Sequence, residues 1–285
     1  MIPTSFECYR PSTIDEALEL ISKHKDEAKV LAGGQSLIPM MKLRFARYPV
    51  IIDIGNLDQL KFIKEEDGKI KIGALVKHRE VEKSELISSK IPVLSKCASE
   101  IADIQVRNMG TIGGSLAHAD PSADFPPVML ILEAEITAKS KNGERKIDIK
   151  DFFSGVFETT LNEDELLTQI EIPIPDENTK FFYEKFPHPA TGFAIVNCAV
   201  ALKTNGNLIE DIKVAFGGMT TSPYRDYQLE ENLRGRQIDE NTLEEASKTI
   251  GEDQDIISDY YADAEYRKHL AKTFFKRAIK QLTEV

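Results

Sequence analysis

KVLAGGQSLIPMMKLR, residues 29–44, is an apolar run that ends in two adjacent glycines, followed by a serine and a helix-like segment. KVLAG reads as a short buried strand, and PVIIDIG (49–55) as a second, its β-branched residues running up to a glycine. Upstream, Thr13-Ile14-Asp15-Glu16 fits a capping box, in which a Thr hydroxyl and a Glu carboxylate satisfy each other's exposed backbone N–H groups. Ile14, Ala17, Leu18 and Ile21 then recur at helical spacing, so the chain opens with a β-α-β pattern. Glycine has no Cβ, so its backbone reaches positive φ and successive N–H groups can converge on one anion. A tight turn is the other reading of Gly33-Gly34.

The same frame returns 80 positions later as Gly113-Gly114-Ser115, inside GTIGGSLAHADPSADFPPVML (110–130). Each pair follows an apolar approach and precedes a hydroxyl, Ser36 or Ser115. Two such loops suit a diphosphate held by backbone dipoles and hydroxyl donors rather than by lysines. No third glycine follows Gly33 at the G-x-G-x-x-G spacing, and G-x-x-x-x-G-K-[ST] is absent, which excludes a dinucleotide fingerprint there and a P-loop.

Between the pairs, KIKIGA follows Gly68 as the second strand of a hairpin, and 91–108 reads as one helix starting near Pro92. AEITAKS, ERKIDIKDF and LLTQIEIPIP read as strands, and PIPDENT (173–179) as a Pro-bounded polar break. KFFYEKF, FAIVNCAVALK and LIEDIKVAFGG form a small antiparallel sheet covered by helices, the last running from about Asp263.

The 285 residues, 41% hydrophobic, suffice for one large domain or two to three modest ones. A net charge of −11 argues against a nucleic-acid or anionic-membrane surface. There is no apolar run long enough to span a bilayer and no signal-peptide pattern, so the expected location is cytoplasmic. Cys8, Cys97 and Cys198 form no C-x-x-C pair, and the five histidines have no metal-binding spacing. Redox chemistry would then need an organic cofactor. Cys97 and Cys198 read as core thiols. His118 is tempting as a base but reads as structural, Arg107 as a surface charge, and Lys42 and Arg44 as snorkelling from a helix. Asp120 and Asp124 have a helix-capping reading, Lys185 a solvated-strand reading, and Phe193 a core reading.

AGGQSLIPMMKLR together with TIGGSLAHADPSADFPPVMLIL resembles the FAD-binding medium subunit of the molybdenum hydroxylases, the family of aerobic carbon monoxide dehydrogenase, aldehyde and glyceraldehyde oxidoreductases and xanthine dehydrogenase. The likeness spans the chain, including the E-I-P at 171–173 and the YEKF before the last sheet. It implies an α+β protein: a two-part FAD-binding domain of the vanillyl-alcohol-oxidase (PCMH) type over 1–176, with subdomains of about 1–57 and 58–176, then a small α+β domain with a three-stranded sheet over 177–285. It also implies residue roles. Ala32, Gly33, Gly34, Gln35 and Ser36 wrap the FAD diphosphate, and Thr111, Gly113, Gly114 and Ser115 approach from the other side. Asp124 bonds ribityl or ribose hydroxyls, Lys185 lies near the flavin ring, and Ile101 and Leu167 make apolar contacts to the rings.

The resemblance further implies an electron-transfer role in a dimer of heterotrimers. A small subunit would carry two [2Fe–2S] clusters, a large subunit the molybdenum cofactor, and an external acceptor would take the electrons. The branch of the family with an extra cluster in this subunit has cysteines that this chain lacks. Two other readings stay open: a stand-alone flavin oxidoreductase, for which Tyr183, Tyr224 and Tyr227 are weak acid–base candidates, and a non-catalytic nucleotide-binding module.

Overall fold

The computed structural model describes residues 1–283. Its first lobe runs β1 (Glu7–Tyr9), α1 (Ile14–His24), β2 (Ala28–Leu31), α2 (Leu37–Leu43) and β3 (Val50–Asp53). The strands form a parallel sheet in the order β1-β3-β2. Thr13 starts α1 as expected, its hydroxyl accepting from Glu16 N–H at 3.1 Å. The returning half of the capping box differs: the Glu16 carboxylate accepts from the Ser12 N–H and hydroxyl. Ala17, Leu18 and Ile21 make the buried stripe of α1, packed on Val50, Ile52 and Ile54.

The second lobe contains β4 (Ile63–Glu66), β5 (Lys69–Gly73), α3 (His78–Lys83), α4 (Glu85–Lys90), α5 (Pro92–Glu100), α6 (Ile104–Met109), α7 (Ile112–His118) and α8 (Phe125–Ile131). It continues through β6 (Glu135–Ser140), β7 (Gly143–Asp148), the small hairpin of β8 (Phe153–Gly155) and β9 (Glu158–Thr159), and β10 (Leu166–Pro173). Five strands pair antiparallel in the order β4-β5-β10-β6-β7. The helix expected over 91–108 is in fact two. Ala102 takes positive φ (39°), and Asp103 caps a new start by accepting from the N–H groups of Gln105 and Val106. Asp is a strong N-cap residue, so this break was visible in SEIADIQV and outweighs the continuous apolar spacing.

PIPDENT is a turn in which Asp176 accepts from Asn178 N–H; β10 before it belongs to the second sheet and the strand after it to a third. That sheet consists of β11 (Lys180–Pro187), β12 (Ala194–Asn205), β13 (Leu208–Gly217) and the two-residue edge strand β14 (Tyr224–Arg225), all antiparallel. Helices α9 (Tyr227–Leu233), α10 (Glu240–Thr249) and α11 (Ala264–Thr283) complete the chain. A strand's side chains alternate between faces, and here both faces are buried. Val196, Cys198 and Val200 pack with Phe274 and Phe275 of α11, while Tyr183, Ala199, Ala201 and Ala215 join the core of the second lobe. The third sheet is thus the partition between the second lobe and the C-terminal helices, and its inner face reaches the site described next. Cys97 and Cys198 are buried thiols, as expected.

Candidate functional site

The two glycine segments come from different lobes and touch. A Cβ on Gly33 would stand 2.3 Å from the Met109 carbonyl oxygen and 2.7 Å from Gly110 Cα, so the first segment lies on the backbone that leads into the second. A Cβ on Gly113 would meet Ala74 Cβ at 2.6 Å. These two glycines are bare because backbone packs on backbone. Among Gly33, Gly34, Gly113 and Gly114, only Gly34 has positive φ (72°).

The second pair is not a loop. Thr111 caps α7, and the pair lies in its first turn. The N–H groups there are already engaged: Gly113 donates to Ala74 O at 3.0 Å, Gly114 to Thr111 Oγ1 at 3.2 Å and Ser115 to Thr111 O at 2.9 Å. By contrast, among the described residues the N–H groups of Gly33, Gly34, Gln35 and Ser36 donate to no protein acceptor. The Gln35 side-chain amide donates back to Gly33 O, holding that loop open. Ser36 heads α2 without spending its hydroxyl on a cap. Backbone donors left without a protein acceptor are therefore a property of the first segment, not of the second.

Both segments line one cavity of about 670 Å³, within the range of small-molecule and cofactor sites. Ala32, Gly33, Gly34, Gln35, Ser36, Ile101, Thr111, Gly113, Gly114, Ser115, Asp124 and Leu167 all border it; of the expected site residues only Lys185 does not. Residues separated by more than a hundred positions thus converge. Ile101 arrives at the end of α5, Leu167 at a bulge in β10, and Asp124 at the head of α8.

The solvated-strand reading of Lys185 does not describe its place. Strand alternation turns Tyr183 and Lys185 of β11 inward, towards α8. Lys185 Nζ lies 2.8 Å from Asp124 Oδ1 and donates to Gly192 O at 2.8 Å; both side chains of the ion pair are 5% exposed. Its charge is matched to Asp124, neither solvated nor offered to the cavity. Asp124 makes no capping bond, which removes the cap reading; it accepts instead from the Tyr183 hydroxyl at 2.5 Å. Burial pushes the Asp124 carboxyl up, and Lys185 followed by Tyr183 offsets part of that. Tyr183, weighed above as an acid–base group, is spent as a donor. Asp120 does cap, but the turn at Ser122, whose N–H it holds at 2.8 Å.

Arg107 is no bare surface charge. Its guanidinium donates to Ile101 O and Ala102 O and pairs with Glu82, fixing the break between α5 and α6 that presents Ile101 and Ala102 to the cavity. His118 lines the cavity with its ring against Phe157, 4.9 Å between centroids. Phe193 is not core: it is 44% exposed and stands at the cavity wall with Thr191 and Gly192. His78 was not singled out in the sequence, where a single histidine after an apolar strand carries no signal. It borders the cavity, is buried against Gly110 and Phe125, and its Nδ1 has no partner among the described residues.

Burial, with the nearby charge of Arg107 second, pulls the His78 imidazole down to about 4 from 6.5. A depressed histidine is neutral when folded and takes up a proton on unfolding, so its contribution is complete above pH 6.5 and is lost as pH falls towards 4. The wild type should lose about 2 kcal/mol more than His78→Gln between pH 7.5 and 5, at about 1.4 kcal/mol per unit. Urea unfolding of both proteins at the two pH values measures this; parallel losses would refute the buried neutral imidazole.

The family described as "FAD binding domain in molybdopterin dehydrogenase" matches residues 4–175, and "CO dehydrogenase flavoprotein C-terminal domain" matches residues 181–282. The glyceraldehyde dehydrogenase medium chain of Sulfolobus acidocaldarius is 36% identical, over 99% of this chain and 100% of that one. The carbon monoxide dehydrogenase structure from Hydrogenophaga pseudoflava superposes with a TM-score of 0.95 at 34% identity, covering 98% of each chain. The quinoline 2-oxidoreductase structure from Pseudomonas putida 86 gives 0.94 at 29% identity, covering 100% of this chain and 99% of the other. No helix among the described residues is long and apolar enough to cross a membrane.

Proposed function

The chain belongs to the family of FAD-binding medium subunits of molybdenum hydroxylases, and from that premise we propose that it carries electrons from an iron–sulfur subunit to an external acceptor within such a complex. FAD, the cofactor of this family's domain, supplies a ring that takes up electrons and passes them on.

The observation that carries the reading is the meeting of two glycine segments around one cavity, with unused N–H donors on one wall and a buried carboxylate on another. Those features fit the group. Ala32, Gly33, Gly34, Gln35 and Ser36 would hold the diphosphate through backbone N–H groups and the Ser36 hydroxyl, without requiring a lysine. Thr111, Gly113, Gly114 and Ser115 form the facing wall, where close approach and the Ser115 hydroxyl are the contribution. Asp124, oriented by Tyr183 and Lys185, would accept from ribityl or ribose hydroxyls. Ile101 and Leu167 would keep water from the rings. Lys185 acts through Asp124. In this reading no side chain moves a proton; the chain binds, orients and excludes water.

The same proposal divides the chain at about residue 176 and places it in the cytoplasm, in a dimer of heterotrimers with a [2Fe–2S] small subunit and a molybdenum-cofactor large subunit that selects the substrate. The test uses the assembled complex. The purified protein should show an oxidised-flavin spectrum and release FAD on acid treatment. Stripped of FAD, the complex should still reduce its iron–sulfur clusters with substrate but no longer its external acceptor. Full acceptor reduction without FAD would rule out the electron-transfer role.

A further inference from the structure

Even-numbered residues of β11 face away from the cavity, towards α11, where Phe182 is buried but Phe186 is not. Phe186 is 38% exposed and meets Tyr266 of α11 edge to face, with 6.1 Å between centroids. Two residues on, His188 stands 4.2 Å from Tyr261, and Tyr261 lies 5.4 Å from Tyr260. Tyr260 is 95% exposed and Tyr261 60%. The turn that carries this face is closed by the His188 N–H donating to Phe193 O at 2.7 Å, and Phe193 borders the cavity. Two exposed aromatic groups, Phe186 with Tyr266 and His188 with Tyr261 and Tyr260, therefore stand at the outer edge of the third sheet, next to the turn that carries Phe193 to the cavity wall.

A large aromatic side chain left almost wholly in water contributes little to the fold. Broad aromatic faces are instead enriched at protein–protein interfaces, whereas small molecules take concave sites. Of these rings only Phe193 reaches the cavity. The segment 252–263 that presents the tyrosines carries Glu252, Asp253, Asp255, Asp259 and Asp263 and no lysine or arginine. Asp259 is paired with Arg267, which anchors the segment by donating to Ile195 O and Gly218 O.

We propose that this face, centred on Tyr260 and Tyr261, docks the iron–sulfur subunit, whose matching surface has an apolar centre and a basic rim. This rests on the electron-transfer reading: whatever delivers electrons one at a time must lie close to the flavin, and the turn that bears His188, beside Tyr261, reaches the cavity wall at Phe193. Acidic residues around the tyrosines steer a basic partner and suppress an acidic one.

The experiment co-expresses the full chain with a tagged iron–sulfur subunit and the large subunit. Tyr260→Ser/Tyr261→Ser should keep its FAD and lose co-purification with the tagged subunit by about tenfold or more, as interface aromatic truncations do. Tyr260→Phe/Tyr261→Phe should retain it, and association of the wild type should weaken with added salt. A serine variant that keeps both FAD and full association overturns the docking face and leaves the electron-transfer reading intact. A wild-type chain that carries FAD yet never associates with the iron–sulfur subunit overturns both.

Discussion

Gly114→Val should yield a folded protein that holds no flavin. A Cβ at this position would lie 2.7 Å from Thr111 Oγ1 and 3.6 Å from Ala32 Cβ. The first contact is a side-chain oxygen that can rotate away, at the loss of a helix cap, which costs about 1 kcal/mol. The second places the new methyl groups between the two glycine segments, in the space the diphosphate would take. A thousandfold loss of FAD affinity, about 4 kcal/mol, is expected. The neighbouring glycine should fail differently. At Gly113 the Cβ meets Cα, Cβ and the carbonyl oxygen of Ala74 at 2.6–2.7 Å, and backbone cannot rotate away. Gly113→Val should therefore cost the fold itself, by the 1–3 kcal/mol typical of overpacking or more. Flavin absorbance per protein and a circular-dichroism melt separate the two failures. Stoichiometric FAD in folded Gly114→Val would mean that the cofactor does not pass between these segments.

That contrast shows what the sequence could and could not reveal about the site. Two glycine pairs, each followed by a serine, marked the walls correctly because a bare backbone is a composition signal. Their conformation was not legible: Gly33 and Gly113 are bare for packing against residues 76 and 39 positions away, and such long-range contacts leave no local trace. The consequence is asymmetric, since among the described residues the first segment leaves its N–H groups without a protein acceptor and the second does not. Lys185 shows the same limit. Its strand alternation was readable, but alternation does not say which face meets another lobe, and the buried partner Asp124 is 61 positions distant. β2, β3 and β11 to β13 were visible as β-branched or aromatic runs, whereas β1, with three residues, and β14, with two, are too short to show a period. The place of β1 beside β3 comes from parallel pairing alone.

Besides the shared apolar core, polar bonds couple the second lobe to the third sheet. Asn197, opposite Lys185 in the ladder, donates its amide to Ala123 O at 3.1 Å. Ala194 and Gly218 N–H groups donate to Ser122 O and Pro121 O. The inner face of the third sheet thus holds the whole approach to α8, residues 121–124. A cavity wall gripped this way stays where it is with or without a ligand, which lowers the ordering cost of binding.

Lys185→Met should be the most destabilising single change within that grip. The pair it breaks is 5% exposed on both sides, so the variant leaves a carboxylate in low dielectric without its cation. Removing one partner of a buried pair costs roughly 3–5 kcal/mol, a drop of roughly 5–8 °C in Tm for 285 residues. The pH dependence carries the diagnosis. Burial already pushes the Asp124 carboxyl up, and losing Lys185 removes the largest influence that opposes it. A carboxyl raised above its unfolded value near 4 is neutral in the folded variant at low pH and must either lose its proton while buried or hold it at a cost as pH rises. The deficit of Lys185→Met should therefore be smallest near pH 4 and grow towards neutrality. Adding Asp124→Asn removes the stranded charge while keeping an acceptor for the Tyr183 hydroxyl, so the double variant should recover part of the loss at pH 7 and show no such slope. A Lys185→Met deficit that is flat with pH, or a double variant no more stable than the single one, would show that Lys185 serves the wall by packing its stem and not by its charge.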